Sequence, residues 1–388
     1  MQKSNAETRQ IKTKPIEVLK AKEFLTVTEV SKLIGCLIIL SKYTSMKNKV
    51  SEKPYHSEVG NERTGLHLNK DVFDEIDLGP QSESDNPFTA KARKLQSLWR
   101  VVNGLEIGVG PNKKSNNKGI PTKFGNIITD GEISGKNFYF PETFEYAKWR
   151  VQNRLKDETI DAYRLFNNLL SSMPMAFNLF HPLMMLKAEK PALVDLMIRS
   201  AFPTIPSIYR VQEIGLEFIP TPKENYTHDK SAMDAFIRYQ DRGGNNYLIA
   251  IETKYTDSLG TNAASGKVQQ YQLEVMRELN IFTPEFINSI NEGEIVISQI
   301  FRNFILAEKY GKVHDLKGVY SVVMAPADHP TTQKEIKSLQ ARLNEEALKR
   351  VFVLSLEEFS TAIRVHCPGK YLKWIDWFHD RYLNFEKV

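Results

Sequence analysis

Ser231 to Asp257 reads SAMDAFIRYQDRGGNNYLIAIETKYTD, and the fold turns on this stretch. Two runs rich in apolar, β-branched and aromatic residues, SAMDAFIRY and NNYLIAIETKY, flank a link that holds Asp241, Gly243, Gly244, Asn245 and Asn246. Turn residues of that kind between strand-like runs predict a β-hairpin over 231–257. In the second strand Leu248, Ala250, Glu252 and Lys254 share a face, because side chains along a strand alternate with a period of two. The apolar run therefore ends in an acid and a base side by side. Asp234 sits between Met233 and Ala235 in the partner strand, where burying a lone carboxylate is costly. A divalent cation is the natural compensation: two carboxylates hold Mg²⁺ through hard oxygens and leave room for water and a phosphate oxygen, while a nearby lysine orients or deprotonates a water. The plainer alternative is a charged pair at a strand end.

Asp234, a spacer across the hairpin and then Glu252-Thr253-Lys254 resemble the motif of the PD-(D/E)XK nuclease superfamily, with Met233 where the motif's name has proline. A second Glu-x-Lys, Glu335 and Lys337, lies in TTQKEIKSLQARLNEEALKR, whose helical pattern turns positions two apart to nearly opposite sides. IDAYRLFNNLLSSMPMAFNLF and, later, SQIFRNFILAEKYG are similar to a restriction-endonuclease-like family of that superfamily, over residues 90 to 388. The resemblance implies a Mg²⁺-dependent endonuclease cutting DNA in restriction or anti-phage defence in a prokaryotic cytoplasm, with Mn²⁺ able to replace Mg²⁺. It implies Asp234 and Glu252 as metal ligands, the Thr253 carbonyl as a further ligand, Lys254 positioning the attacking water, and Gln299 and Arg302 holding phosphate. A homodimer or a defence-complex partner is the expected assembly. The other reading is a catalytically silent nucleic-acid-binding subunit of such a complex with the same fold.

Composition bounds the rest. The chain has 388 residues, 41% hydrophobic and 10% aromatic, enough to bury a sizeable core and unlike a disordered protein. Its net charge is +5, and residues 1–60 account for all of it with 11 Lys and Arg against 6 Asp and Glu, leaving 41 of each in the remainder. Any nucleic-acid footprint on the body is therefore a local patch. Two cysteines, Cys36 and Cys367, exclude a disulfide framework and point to a reducing compartment. The first 23 residues lack the apolar core of a signal peptide, and the apolar run Leu33 to Leu40 is too short to span a bilayer, so a cytoplasmic protein off the membrane is expected.

In chain order, residues 1–89 read as a basic, partly flexible extension with one short helix, opened by the capping box Thr26-Val27-Thr28-Glu29. Residues 90–388 read as the nuclease-like domain. KARKLQSLWRVVNG is a helix ended by Gly104, and Gly104 to Gly119 is a loop whose Lys113, Lys114 and Lys118 either brush a DNA backbone or are simply solvated. Helices are expected at 144–153 and 159–170 and through the apolar stretch to Phe202, where Asn178 and His181 either approach the site or are bonded within the helix packing. IYRVQEIGLEFIP is a strand with Ile214, Leu216 and Phe218 on one face and Glu213 and Glu217 on the other; Glu217 is either a further metal ligand or a solvated edge carboxylate. Helices follow at GKVQQYQLEVMRELN and EGEIVISQIFRNFILAEKYG, the latter with Gln299, Arg302, Asn303 and Tyr310 on its polar stripe, which meets either phosphate or solvent. Then come a buried strand, GVYSVVMAPA, one helix through KEIKSLQARLNEEALKR, a strand, RVFVLSL, and an aromatic helix, KYLKWIDWFHDRYLNF, read as core or an oligomer contact. The order predicts an α/β fold, a restriction-endonuclease-like core with a mixed central β-sheet flanked by helices, plus the helical N-terminal extension.

Overall fold

A computed structural model describes residues 76–110, 123–257, 266–291 and 298–388. The capping box at Thr26, Cys36 and Lys113, Lys114 and Lys118 lie outside these residues. Asn86 opens the first helix, α1 (Pro87–Val102), by accepting a hydrogen bond from the Thr89 amide, while Pro87 supplies a preset φ at the first position. The stretch read as a loop after Gly104 instead contributes a strand, β1 (Ile107–Val109), which pairs antiparallel with β2 (Lys123–Ile128). IGV is too short to show a period, which is why it reads as loop.

Five helices follow: α2 (Gly131–Ser134), α3 (Pro141–Gln152), α4 (Ala162–Asn167), α5 (Ser172–Glu189) and α6 (Pro191–Ala201). A helix apolar on every side belongs inside, and α5 buries Met175, Phe177, Phe180 and Leu183 completely. The central sheet comes next, with β3 (Arg210–Phe218), β4 (Met233–Gln240) and β5 (Asn246–Thr253) joined antiparallel, the last two by the expected hairpin. Gly244, at φ +81°, makes the turn with its amide on Asp241 O. Gly215 in β3 is needed for another reason: a Cβ there would lie 2.3 Å from Cε1 of Phe236, the residue facing it in β4.

After α7 (Gly266–Leu279), α8 (Pro284–Asn291) and α9 (Gln299–Val313) the chain returns as β6 (Gly318–Ala325), parallel to β5. The single helix expected from KEIKSLQARLNEEALKR is two, α10 (Thr332–Gln340) and α11 (Glu345–Leu348). Between them Leu343 bridges back to Phe282, and Asn344 caps the second by accepting from Ala347. Strand β7 (Val351–Ser355) lies parallel to β6, giving a five-stranded mixed sheet in the order β3-β4-β5-β6-β7. Ser355 ends it and starts α12 (Leu356–Arg364) through a reciprocal capping box with Glu358, a helix not anticipated from the sequence. The aromatic helix α13 (Gly369–Tyr382) closes the fold.

Both faces of the sheet are covered. Leu216, Ala235, Ile237, Ile249 and Ile251 face the core built with α5, α6, α12 and α13. Phe236, Leu248 and Ala250 face α9, and Val323 faces the layer of α7 to α10. Trp374, Phe378 and Tyr382 are fully buried in the first of these cores, so the aromatic helix is a core element. Among the described residues no helix is long and apolar enough to cross a membrane.

Candidate active site

The sheet's register lines up three carboxylates. Leu216 faces Ala235 and Phe218 faces Met233, which sets Glu217 opposite Asp234; Ala235 faces Ile251, and one step further along the hairpin sets Asp234 opposite Glu252. Neighbouring strands lie about 4.8 Å apart, so the acids form a row across β3, β4 and β5. Glu217 stands in the left-handed region, at φ +48°, although strand pairing continues on both sides of it. For a residue other than glycine this conformation costs roughly 1–2 kcal/mol. It also breaks the alternation expected for β3: Leu216 enters the core under α5, whereas Phe218 turns to the opposite face and packs on Phe236 and Tyr310.

Each member of the row has a different environment. Asp234 Oδ2 accepts from both the amide and the hydroxyl of Thr253, at 2.8 and 3.0 Å. Glu252 Oε1 meets Lys254 Nζ at 2.7 Å, with both side chains over 90% buried, and accepts from Gln299 Nε2 at 3.1 Å, while Oε2 accepts from Asn303 Nδ2 at 2.6 Å. Among the described residues no donor hydrogen-bonds the carboxylate of Glu217, which is only 7% exposed. Burial, then the Asp234 charge, pushes the Glu252 carboxyl up to about 7 against the pull of Lys254. Burial and the Asp234 charge likewise hold Glu217 well above the usual carboxylate range, and burial raises Asp234. Burial works to lower Lys254, but the charges of Glu252 and Asp234 outweigh it and hold the ammonium above its ordinary value. The row therefore holds more acidic groups than its one close ammonium keeps readily ionised.

These residues form the floor of an open cleft of about 690 Å³. Its rim is built from segments distant in sequence. Asp229 accepts from Thr227, Ser231 and Gln272, and Arg302 Nε lies 3.6 Å from it. Also lining the cleft, Arg164 of α4 pairs with Asp257 at 3.1 Å, and Lys230 lies 3.3 Å from Asp157. Gln299, expected at a phosphate, reaches the site but spends its amide on Glu252; Arg302 reaches the rim. Tyr310, expected on the polar stripe, is buried and stacked with Tyr226, because α9 is covered there by the turn before β4.

Sequence reasoning missed Asp229 and Arg164, which carry no local motif, and gave Asn303 no role, although its spacing of four from Gln299 puts both amides on one helix face. Asn178 lies away from the cleft, bonded to Asn137, Tyr139 and Tyr382. His181 is stacked on Tyr146 and hydrogen-bonded to Thr143, with burial pushing its pKa down to about 4. The second Glu-x-Lys lies on α10, with Glu335 half-buried and Lys337 exposed.

The donor set suits a hard divalent cation, since three carboxylates and the strand-end carbonyls offer oxygen only. Among the described residues no three acidic, His or Cys side chains are already gathered around one ion position. The reason is visible in the contacts: Lys254, Gln299 and Asn303 occupy Glu252, and Thr253 occupies Asp234. A cation would exchange some of these donors for itself, and the carboxylate of Glu217, which no described residue hydrogen-bonds, offers it further oxygens.

Residues 83–384 match the family model of the PD-(D/E)XK nuclease superfamily. No curated protein and no solved structure matches the chain.

Proposed function

The chain belongs to the PD-(D/E)XK nuclease superfamily, and on that premise we propose that it is a Mg²⁺-dependent endonuclease hydrolysing phosphodiester bonds of DNA. The observation that carries this reading is the row Glu217, Asp234 and Glu252 beside the buried ammonium of Lys254. In this reading Asp234 and Glu252 bind the cation, with Glu217 and the Thr253 carbonyl as further ligands. When bound, the cation supplies Lewis-acid stabilisation of the charge that develops on the phosphate and makes a nearby water more acidic.

The chain's own groups do the rest. Lys254 is held cationic, so it positions the attacking water and stabilises negative charge rather than acting as the base. Gln299 and Asn303 fix both oxygens of Glu252, which keeps its carboxylate aimed. Arg302 and Arg164, each beside a carboxylate on the rim, offer planar forks to backbone phosphates. A role in restriction or anti-phage defence, and a homodimeric or complex-bound state, complete the proposal on the strength of the resemblance.

The test is incubation of the purified protein with supercoiled DNA, linear DNA and RNA of the same sequence, in Mg²⁺, in Mn²⁺ and in EDTA. Cleavage of DNA in either metal, abolished by EDTA and by Asp234→Asn, is the expected result. DNA retention without cleavage would instead identify a silent binding subunit.

A further inference from the structure

Arg150, on α3, belongs to none of the sequence motifs, yet it touches the two backbone peptides on either side of the Glu217 Cα. Its Nη1 donates to the Leu216 carbonyl, and its Nη2 donates to the Glu217 carbonyl at 2.9 Å. Successive carbonyls of a regular strand point in opposite directions, so one guanidinium can donate to both only where the chain is locally turned. Glu217 makes that turn with its left-handed φ of +48°. The fork of Arg150 thus fits the turned conformation and would lose a partner in the extended one. Glu158 anchors the fork in turn: its Oε1 accepts from Nη2 at 3.1 Å and its Oε2 from the Leu155 amide at 3.0 Å, and both side chains of the pair are about nine-tenths buried.

The turn has a consequence for the site. It sends Phe218 onto Phe236 and Tyr310 and leaves the Glu217 side chain at the cleft floor beside Asp234. Arg150 makes no hydrogen bond to that carboxylate, whose residue lines the cleft. A residue that grips the backbone of a buried acid and spares its oxygens is suited to hold that acid for a cation. We propose that Arg150, anchored by Glu158, is a positioning residue of the metal site that holds Glu217 in its left-handed conformation with the carboxylate delivered to the acidic row. This rests on the metal-binding reading of the row and adds Arg150 to it, coupled to Glu217.

The experiment is a double-mutant cycle on Mn²⁺ affinity, measured by titration calorimetry on the full chain in the absence of nucleic acid. Wild type, Arg150→Ala, Arg150→Lys, Glu217→Gln and the two Arg150 variants combined with Glu217→Gln are compared. Removing a partner that orients a ligand typically weakens metal binding about 10- to 100-fold, and that loss is expected for Arg150→Ala. Lys at position 150 keeps the charge but cannot bridge two carbonyls, so it should lose nearly as much. In the Glu217→Gln background either change should alter affinity less than about threefold, because the ligand being positioned is gone.

Equal losses in both backgrounds would reduce Arg150 to a general structural role, and wild-type affinity in Arg150→Lys would leave only its charge; either result overturns the proposal. Should Arg150→Ala fail to fold, Glu158→Ala, which removes the anchor and keeps the fork, runs the same cycle with a smaller loss of the same pattern. A wild-type protein that binds no Mn²⁺ overturns the metal-binding reading itself, and the first titration shows this before any Arg150 variant is made.

Discussion

Glu217 in the row and Lys254 beside it respond differently to removal. Glu217 is buried with no hydrogen-bond donor on its carboxylate among the described residues, and its carboxyl is held well above the usual carboxylate range by burial and the Asp234 charge. A carboxyl raised on folding adds relative stability below its unfolded pKa and loses that advantage as pH climbs toward the folded value. Metal-free Glu217→Gln should therefore melt close to wild type near the ordinary carboxylate pKa, about 4.3, and increasingly above it as pH rises through neutrality, in EDTA throughout; a gap that does not grow with pH would contradict the burial account. Lys254→Ala acts in the other sense, because it removes the ammonium 2.7 Å from Glu252 in a buried setting. It should lower the metal-free melting temperature, since an orphaned buried charge is destabilising. Cleavage should fall by about 10²- to 10⁴-fold, the usual effect of losing a group that handles the attacking water, while Mg²⁺ still stabilises the variant. Residual cleavage near the wild-type rate would remove Lys254 from the chemistry. Asp234, Glu252 and Lys254 are legible in the sequence because a hairpin fixes their relation within 21 residues. Glu217's conformation is not, since no glycine or asparagine marks a left-handed residue there and its cause lies in another helix.

At the scale of elements, α13 shows how far composition carries. Its aromatic content leaves core and oligomer contact open, which burial settles as core, and it gives no hint that Arg381 is buried among those rings. The guanidinium lies 3.9 Å from the centre of Trp99 and 4.6 Å from that of Tyr382, and it donates to the Asn137 carbonyl at 2.8 Å. Arg381→Ala should cost about 3 kcal/mol or more in urea unfolding, because it opens a cavity and strips the cation from the ring faces. Arg381→Met keeps most of the volume without a buried cation and should lose about half as much or less; equal losses would assign the stabilisation to the guanidinium's hydrogen bonds. The hairpin, α1, β6 and the aromatic helix are legible because each carries a sustained period or a cap. Strand β1 is too short to show one, and the break between α10 and α11 follows from a tertiary bridge, Leu343 to Phe282, that leaves the helical pattern intact. Helix α12 is readable from Ser355 and Glu358, but the preceding strand runs into it without a turn residue.

For the whole molecule, the charge distribution separates affinity from chemistry. Residues 61–388 are balanced in charge, while residues 1–60 carry the net +5. If that basic segment binds DNA, removing it should flatten the dependence of log affinity on log salt by about 0.9 for each phosphate it neutralises, without changing Mg²⁺ binding at the row; an unchanged slope would place the segment off the DNA. The mixed sheet brings together side chains from β3, β4, β5, α4 and α9, and only the middle pair of strands announces this in the sequence. The chemistry proposed for the cleft depends above all on the acidic row binding a divalent cation through Glu252. The shift in melting temperature on adding Mg²⁺ to wild type and to Glu252→Gln tests this directly, because it requires no knowledge of the substrate. A ligand at about 100 times its Kd stabilises the fold it binds by about 2.7 kcal/mol, which moves a domain of this size by several degrees. Wild type should show that shift and Glu252→Gln almost none, whereas equal shifts in the two proteins, or none in wild type, would contradict the assignment.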